Sequence, residues 1–257
     1  MDLIRVNNLS FKYGEKKVIN NISFNVNDGE SFGIIGPNGS GKTTLLRLMT
    51  GLLNSSDGEI QFNGNPISNY GKKELARLFA VVEQEGTPPL AFSVEEVVAM
   101  GRYPWLKPFA NLTKLDHQII HKALTTFELL GIRNQPVNTL SGGQRQLVSL
   151  ARAMVQQPKV LFLDEPTTYL DIGNQQSLMR HIRKWQEEKG LTTIMVLHDL
   201  NLAAQYCDRL VLLDQGSIKA IGKVEEVIRE QEIEKVYKIK PILVKHPLTK
   251  VPQILLN

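Results

Sequence analysis

The chain has 257 residues, of which 42% are hydrophobic and 22% are charged, a balance typical of a folded globular protein. No run of residues approaches the roughly 18 apolar positions that a membrane-spanning helix needs. The first residues lack the basic start and long apolar core of a secretory signal. The single cysteine, Cys207, excludes an internal disulfide and suits a reducing compartment.

The net charge of +4 does not by itself indicate a nucleic-acid partner. Basic residues are scattered along the chain, and the densest groups are the pairs Lys16-Lys17 and Lys72-Lys73. Pairs of this size are too short to form a nucleic-acid-binding patch. We therefore expect no nucleic acid among the partners.

The first sixty residues have the pattern of strands joined by turns. Alternating or β-branched residues between Gly, Asn and Asp breaks predict four such strands: Leu3–Val6, Leu9–Tyr13, Ile22–Val26 and Glu59–Phe62. Within this region Ser31–Ile35 reads as a short buried strand. A helix follows it as far as Met49, and Gly51 ends that helix.

The loop between that strand and that helix reads Gly-Pro-Asn-Gly-Ser-Gly-Lys-Thr, which in this context is a phosphate-binding P-loop. Its glycines let backbone N–H groups surround phosphate oxygens, while the lysine supplies charge and the threonine a hydroxyl for Mg²⁺. The start of the helix adds partial positive charge. The pattern predicts that a nucleoside triphosphate and Mg²⁺ bind to Gly36, Pro37, Asn38, Gly39, Ser40, Gly41, Lys42, Thr43 and Thr44.

The rest of the chain changes from helical spacing to strands that alternate with helices. From about residue 93 to 157, apolar residues recur every three or four positions, as in helices. After Pro158, apolar strands return at Val160–Leu163, Thr193–Leu197 and Leu210–Leu213. We predict an α/β fold: a P-loop core with a mainly parallel sheet, an N-terminal antiparallel β subdomain and an inserted helical lobe. Residues 1–85 and 158–225 would form the core, about 86–157 the helical lobe and 226–257 a short tail.

Two carboxylates, Asp164 and Glu165, follow directly after the strand Val160–Leu163. The carboxyl ends of parallel strands form the edge at which such sheets bind ligands. Asp164 is placed to hold Mg²⁺, and Glu165 to orient the attacking water and accept its proton. Taken alone, the pair could be a solvated acidic turn, but the upstream P-loop favours the magnesium site.

The segment Leu140–Gln146, with the sequence LSGGQRQ, opens another helix. Ser141 and Gln144 have the spacing of a capping box at the start of a helix over Gln144–Val155. Gly142 and Gly143 each weaken a helix by about 1 kcal/mol, yet they leave backbone N–H groups bare for a phosphate. Because the P-loop already encloses the phosphates from one side, we expect this second anion site to close on the nucleotide of another subunit.

In this order the motifs resemble those of ATP-binding subunits of ABC transporters, and the resemblance covers essentially the whole chain. It implies an ATPase that uses Mg²⁺ and is coupled to transport. The resemblance implies that Tyr13 stacks on adenine and that Gln84 joins the core to the helical lobe and senses Mg²⁺. The signature would consist of Ser141, Gly142, Gly143 and Gln144. Asp171 would be the D-loop aspartate, and His198 the switch histidine beside Glu165. The chain departs from the family at Glu83, often proline, and at Tyr169, often a small residue.

Finer features resemble the importer ATPases for iron siderophores, haem and cobalamin. They lie in the segments Val98–Pro104, Thr168–Ile172, His198–Ala203 and Val236–Tyr237. The resemblance implies a head-to-tail homodimer on the cytoplasmic face of the membrane, a separate multi-span permease and an extracytoplasmic substrate-binding protein. The apolar Leu90 and Phe92, in the segment Gly86–Phe92, are candidates to line a groove for a permease helix.

A soluble ABC ATPase acting in DNA repair or on the ribosome is the alternative. Repair ATPases insert a long coiled coil or a zinc module between the P-loop and the signature, and translation factors carry two cassettes. The short interval between Lys42 and Ser141 and the single set of motifs favour the importer subunit.

Overall fold

The structure, a computed structural model, describes residues 2–84, 87–88, 90–168 and 170–255. The chain divides into two compact units, one formed by Met1–Tyr70 with Thr192–Asn257 and the other by Gly71–Leu191. Within the described ranges no helix has the length and apolar character needed to span a bilayer. The three-part division into core, helical lobe and tail stays a prediction.

Strands and helices alternate along much of the chain. The strands are β1 (Asp2–Tyr13), β2 (Lys16–Asn27), β3 (Ser31–Ile35), β4 (Asp57–Phe62), β5 (Asn65–Pro66), β6 (Phe79–Val82), β7 (Val160–Asp164), β8 (Thr192–Val196), β9 (Arg209–Asp214), β10 (Ser217–Lys223), β11 (Ile242–Lys245) and β12 (Pro252–Leu255). The α-helices are α1 (Lys42–Met49), α2 (Lys72–Leu78), α3 (Val94–Ala99), α4 (Lys114–Thr126), α5 (Gly142–Val155), α6 (Ile172–Lys189), α7 (Leu200–Tyr206), α8 (Val224–Val227) and α9 (Glu230–Tyr237).

The first unit contains an antiparallel sheet with the strand order β2-β1-β4-β5. The segments predicted as two strands, Leu3–Val6 and Leu9–Tyr13, are one strand, β1, whose register with β2 shifts between Val6 and Leu9. Asn8, which the sequence pattern marks as a break, instead adopts a φ of +47° within the strand. Asparagine tolerates this left-handed conformation better than most residues, so the strand continues through an irregularity instead of ending.

The strands around the P-loop pair in parallel, as predicted. In the first unit β3 lies between β8 and β9 and is parallel to both, while β10 is antiparallel to β9. In the second unit β6 and β7 are parallel. Every residue of β3, β7 and β8 is buried, which explains their continuous apolar sequences. The predicted α/β fold with an antiparallel β subdomain is confirmed.

The helical part of the second unit is built from short, individually capped helices. Ser93, Thr113 and Ser141 cap α3, α4 and α5, each in a reciprocal capping box. Helix α5 begins at Gly142, two residues before the predicted start at Gln144, because the N-cap is Ser141 and both glycines lie in the first turn. Between α3 and α4 the chain forms a 3₁₀ turn over Met100–Trp105 instead of continuing as α-helix.

A buried ion pair joins three elements of this second unit. The Arg102 guanidinium donates from Nε to Asp116 Oδ1 at 2.7 Å and from Nη1 to the Val155 carbonyl at 2.8 Å. Asp116 also accepts from the Thr113 amide at the start of α4. The 3₁₀ turn, the start of α4 and the end of α5 are therefore held by one charged pair, of which each side chain is only 6% exposed.

Candidate nucleotide-binding site

The P-loop connects the end of β3 to the start of α1. Gly36 has a φ of +150°, and a Cβ at this position would lie 2.2 Å from the Leu213 carbonyl oxygen, so only glycine fits. The turn between β9 and β10 supports the loop from behind: the Gly216 amide donates to the Ser40 carbonyl at 3.0 Å. The Gly216 carbonyl in turn accepts from the Asn20 amide of β2 at 2.8 Å. The loop is therefore held by the turn between β9 and β10, and that turn is itself bonded to β2.

Polar groups of the loop are arranged in the way that a phosphate site requires. Lys42 is buried, and its ammonium group donates to the carbonyls of Gly36 at 2.9 Å and Pro37 at 3.1 Å. The buried Ser40 hydroxyl has no hydrogen-bond partner within the described residues. Thr43 and Thr44, in the first turn of α1, are half-buried, whereas Asn38 and Gly39 at the loop tip are exposed. A buried cation with an unsatisfied hydroxyl nearby fits a triphosphate.

The two remaining predicted site residues of this unit also lie at strand ends. β3 and β8 are parallel with Ile34 opposite Val196, so Gly36 and His198 each stand two residues beyond the paired positions. The register therefore brings His198, which is exposed, to the edge of the sheet where the P-loop begins. Tyr13 ends β1, with its ring 49% exposed and its edge packed against Phe11 at 4.7 Å between centroids. Stacking of Tyr13 on adenine stays a prediction.

In the second unit the structure brings Gln84 and Glu165 together. Val82 of β6 pairs with Leu163 of β7, and each functional side chain lies two residues further along. Gln84 Nε2 donates to Glu165 Oε2 at 2.7 Å. Glu165 is buried and has a φ of +50°, a left-handed conformation that is uncommon outside glycine. Asp164, the last residue of β7, is also buried. Two carboxylates thus follow one another at the end of β7, as the sequence pattern indicated, and the Gln84 amide lies beside the second of them. Their roles with Mg²⁺ and water stay predictions.

The signature and the D-loop aspartate meet at the start of two helices of the second unit. The Gln144 amide donates to Ser141 Oγ at 3.2 Å, and the Ser141 amide donates to Gln144 Oε1 at 3.0 Å. A Cβ on Gly143 would lie 3.5 Å from the Asn174 side chain. Asn174 itself donates its backbone amide to Asp171 Oδ1 at 2.8 Å, and this hydrogen bond lowers the pKa of the Asp171 carboxyl. Asp171 therefore caps α6, and its partner Asn174 lies beside Gly143 of the signature.

A threonine anchors the segment that follows Gln84. The Thr87 hydroxyl is completely buried and lies 2.7 Å from the Ser149 hydroxyl of α5. Further on, the Leu90 carbonyl accepts from the Asn138 amide at 3.0 Å. Leu90 is half-buried and Phe92 is 49% exposed. The predicted groove segment also includes Gly86 and Pro89, which lie outside the described residues, as does Tyr169.

Sequence reasoning missed Gly216 and Thr87. Gly216 follows Asp214-Gln215 in what reads as an ordinary hairpin turn, and only its left-handed φ of +73° and its contact with Ser40 show that it supports the P-loop. Thr87 stands before two prolines, where a buried hydroxyl pair has no local signature. The position of Gly216 between two strand-like runs is the one available signal. It predicts a turn, but it does not predict that the turn contacts the P-loop.

Comparison with known proteins identifies the family. Residues 19–168 match the family described as ABC transporter, which is more than half of the chain. The chain belongs to the ABC transporter family. The P-loop, Gln84 and Glu165 all lie inside the matched range.

Relatives in this family cover nearly the whole chain. The uncharacterized ABC transporter ATP-binding protein YvrA of Bacillus subtilis is 40% identical over 255 residues, which are 99% of the chain but 58% of YvrA. The ferric enterobactin transport ATP-binding protein FepC of Escherichia coli is 37% identical over 98% of the chain and 93% of FepC. The petrobactin import ATP-binding protein FpuC of Bacillus anthracis is 38% identical over 93% of the chain and 88% of FpuC. The chain is therefore homologous to ATP-binding proteins of siderophore transport.

Solved structures of family members agree with the fold. A metal-chelate type ABC transporter in an inward-facing conformation matches with a TM-score of 0.87 at 26% identity, over 100% of the chain and 97% of that protein. The ATP-binding cassette MJ0796, solved as a dimer bound to ADP and phosphate, matches with a TM-score of 0.75 at 28% identity. That match covers 86% of the chain and 98% of MJ0796.

Proposed function

We propose that the chain hydrolyses MgATP to power the import of a ferric siderophore or a related metal chelate. The observation that carries the ATPase part is the hydrogen bond from Gln84 to Glu165, because it fixes a buried carboxylate at the end of a strand that also bears Asp164. A carboxylate held in this way can accept the proton of an attacking water. Homology to ATP-binding proteins of the ABC transporter family supports the nucleotide as the ligand.

The residues present fit a magnesium nucleotide. Thr43 and Asp164 would hold Mg²⁺ with help from Gln84, and the ion supplies charge that stabilises the transferring phosphoryl group. Mg²⁺ typically binds through one or two protein oxygens together with substrate phosphates.

The remaining residues have distinct tasks in this proposal. The P-loop amides and Lys42 bind the β- and γ-phosphates, and Tyr13 stacks on the adenine. Glu165 activates the water, while His198 donates a hydrogen bond to the γ-phosphate. Ser141, Gly142 and Gly143 bind the γ-phosphate held by the partner subunit, so two copies related head to tail form two complete sites. Asp171 lies beside the signature and contacts the partner at the same interface.

The proposed cargo rests on the relatives. FepC and FpuC serve ferric enterobactin transport and petrobactin import, and both match almost the full chain. A metal-chelate type transporter shares the fold. We infer a multi-span permease and an extracytoplasmic binding protein as partners, with the chain on the cytoplasmic face of the membrane. Haem and cobalamin are the neighbouring cargo classes.

Reconstituted transport tests this function. The chain would be co-expressed with the permease encoded nearest to its gene, placed in liposomes, and assayed for MgATP-dependent uptake of ⁵⁵Fe-siderophore, labelled haem and labelled cobalamin. We expect uptake of a metal chelate that the Glu165→Gln variant does not support. ATPase activity without uptake of any of the three would overturn the cargo, and absence of ATPase activity would overturn the function as a whole.

A further inference from the structure

The C-terminal hairpin, formed by β11 and β12, contacts the helix that follows His198. The Ile254 amide of β12 donates to Asn201 Oδ1 at 2.7 Å, and Asn201 Nδ2 donates to the Ile254 carbonyl at 3.1 Å. One side-chain amide therefore pairs in both directions with the backbone of a single residue, as a neighbouring strand would. Ile254 is buried at this contact. The amide of Asn201 joins α7 to the end of the chain.

The hairpin that makes this contact is well defined. β11 and β12 pair from Ile242 opposite Leu255 to Lys245 opposite Pro252. Its loop is closed by His246, whose Nδ1 accepts from the Leu248 amide at 3.2 Å and the Thr249 amide at 3.1 Å. These bonds close the hairpin loop, and the paired strand β12 presents Ile254 to α7.

Asn201 is one hydrogen bond away from the turn that carries His198. Asp199 caps α7, and its Oδ1 accepts from the Asn201 amide at 2.7 Å and the Leu202 amide at 3.0 Å. The helix has seven residues, too few to be stable without tertiary contacts. Since His198 directly precedes the cap residue, movement of α7 changes the position of the imidazole.

The same C-terminal segment also reaches the first glycine of the P-loop. Helix α9 is anchored by the buried Ile233 and Val236, and it ends at Tyr237. The Tyr237 hydroxyl is buried and has no hydrogen-bond partner within the described residues. Burial raises the pKa of the Tyr237 phenol, and the nearby Gly36 backbone partly offsets this change in pKa. The tail therefore contacts α7 through Asn201 and lies near Gly36 at the start of the P-loop.

We propose that the tail, residues 230–255, positions the phosphate-facing groups of the first unit, and that Asn201 is a positioning residue for His198. The proposal rests on the role given to His198 under the proposed function. The contact from Ile254 holds α7 at the register in which His198 stands beside the P-loop entrance. Loss of that contact lowers the rate of ATP hydrolysis more than it lowers the affinity for ATP, because the P-loop itself is unchanged.

Kinetics of purified full-length variants test this proposal. Asn201→Ala should lower kcat for ATP hydrolysis by about 10- to 100-fold, the size expected when a reacting group is slightly misplaced, and leave the Kd for ATP within about twofold. Asn201→Asp is nearly isosteric and keeps the acceptor for the Ile254 amide, so we expect this variant to fold. Because its negative charge faces the Ile254 carbonyl, kcat should fall in this variant too. Gln253→Ala is the matched control, because among the described residues that side chain is seen to bond to the adjacent Pro252 carbonyl and not to α7.

A double-mutant cycle separates positioning from general destabilisation. If Asn201 acts through His198, Asn201→Ala should cause no further loss of kcat in a His198→Ala background. An equal fold-loss in both backgrounds would overturn the proposal, as would unchanged kcat in both Asn201 variants. If kcat falls in His198→Ala but is normal in the Asn201 variants, only the role of the tail is refuted. Normal turnover of His198→Ala would instead refute the role of the histidine and, with it, the positioning of that residue.

Discussion

Glu165 combines three properties that rarely occur together at a surface turn. It is buried, it has a left-handed backbone conformation, and it accepts a hydrogen bond from Gln84. A left-handed conformation at a non-glycine residue costs about 1–3 kcal/mol and persists only where the surroundings enforce it. In this conformation the Glu165 carboxylate is buried and accepts from Gln84. We therefore expect ATP hydrolysis to be most sensitive to substitution at Glu165.

Glu165→Gln removes the proposed base while it preserves shape and the capacity to accept from Gln84. We expect ATP affinity to stay within about twofold and turnover to fall by about 10² to 10⁴, the usual contribution of a general base. Phosphate release and nucleotide binding would be measured on the same preparation. Glu188→Gln on α6, an exposed residue 3.9 Å from Lys184, makes the same chemical change away from the site and should be silent. Turnover near the wild-type value would remove Glu165 from the mechanism.

Some of the functional residues could be predicted from the sequence, and others could not. The placement of Asp164 and Glu165 at the end of a strand could be predicted, because the motif follows an apolar run that β7 confirms as a strand. Gln84 was indicated only by the family resemblance, and the roles of all three residues stay predictions. Thr87 and Gly216 could not be predicted, because their roles depend on Ser149 and Ser40, which are distant in the chain. The same applies to Asn201, whose partner Ile254 lies more than fifty residues away. Long-range pairs of polar groups have no periodic pattern from which they can be predicted.

Among the secondary-structure elements, α5 serves both as a structural helix and as the proposed site for the partner's nucleotide. Ser141 illustrates both roles, because it caps the helix and begins the signature. The helix start was predicted two residues late, since two glycines in the first turn disfavour helix by intrinsic propensity. Packing of the buried Val148, Leu150 and Ala151 overrides that propensity.

Ser141→Arg should leave ATP binding by a single subunit intact and stop hydrolysis, because the bulky cation blocks closure on the partner. Loss of the cap should also lower the free energy of unfolding by about 1 kcal/mol. Ser93→Arg is the matched control: Ser93 caps α3 in an equivalent capping box with Glu96, so this variant should lose similar stability and keep turnover. Steady-state hydrolysis, ATP titration and urea unfolding distinguish the two. Loss of ATP affinity in Ser141→Arg as severe as in Lys42→Ala would contradict the composite site.

The Arg102–Asp116 pair makes the stability of the second unit vary with pH in the acid range. The Thr113 hydroxyl contributes most, followed by the Thr113 amide and Arg102; together they lower the pKa of Asp116 from 3.8 to about 2 despite burial. Since the folded-state pKa is the lower one, the stabilisation is complete above about pH 4 and is lost as the pH falls toward about 2. Above pH 4, this carboxylate should add no pH dependence to the stability.

Asp116→Asn leaves Arg102 buried without its counter-charge. We expect the free energy of unfolding to fall by about 3–5 kcal/mol at neutral pH, and the acid-dependent loss between pH 4 and 2 to shrink. Urea unfolding followed by tryptophan fluorescence reports on this unit, because both tryptophans, Trp105 and Trp185, lie within it. Arg102→Met combined with Asp116→Asn removes the orphaned charge and should recover part of the loss. A single variant with the wild-type acid profile would show that Asp116 is not the titrating group.

For the molecule as a whole, the proposed permease contact involves the segment after Gln84. Leu90→Asp should spare ATP binding by the isolated chain and weaken co-purification with the permease, because an apolar groove would gain a charge. Leu115→Asp is the control, since Leu115 is 62% exposed on α4 in the same unit. Survival of both co-purification and transport-coupled ATPase activity in Leu90→Asp would show that the permease binds elsewhere.

The overall architecture was the most predictable part of the molecule. Buried parallel strands have continuous apolar sequences, so β3, β7 and β8 were located to within one residue. The boundary of β1 was less predictable, because an asparagine inside a strand reads as a turn until its partner strand is known. The assembly into a dimer has no local sequence pattern, and its prediction rests on the chemistry of a second anion site in α5.

The composite-site proposal requires that two copies close on ATP, with each signature completing the site of the other chain. Light scattering of the Glu165→Gln variant with MgATP measures this directly, because the variant should hold ATP without consuming it. We predict a mass twice the 28.9 kDa of one chain, which returns to the monomer value when Ser141→Arg is added to the same variant. A monomer at saturating MgATP, or a dimer that Ser141→Arg leaves unchanged, would contradict the composite site.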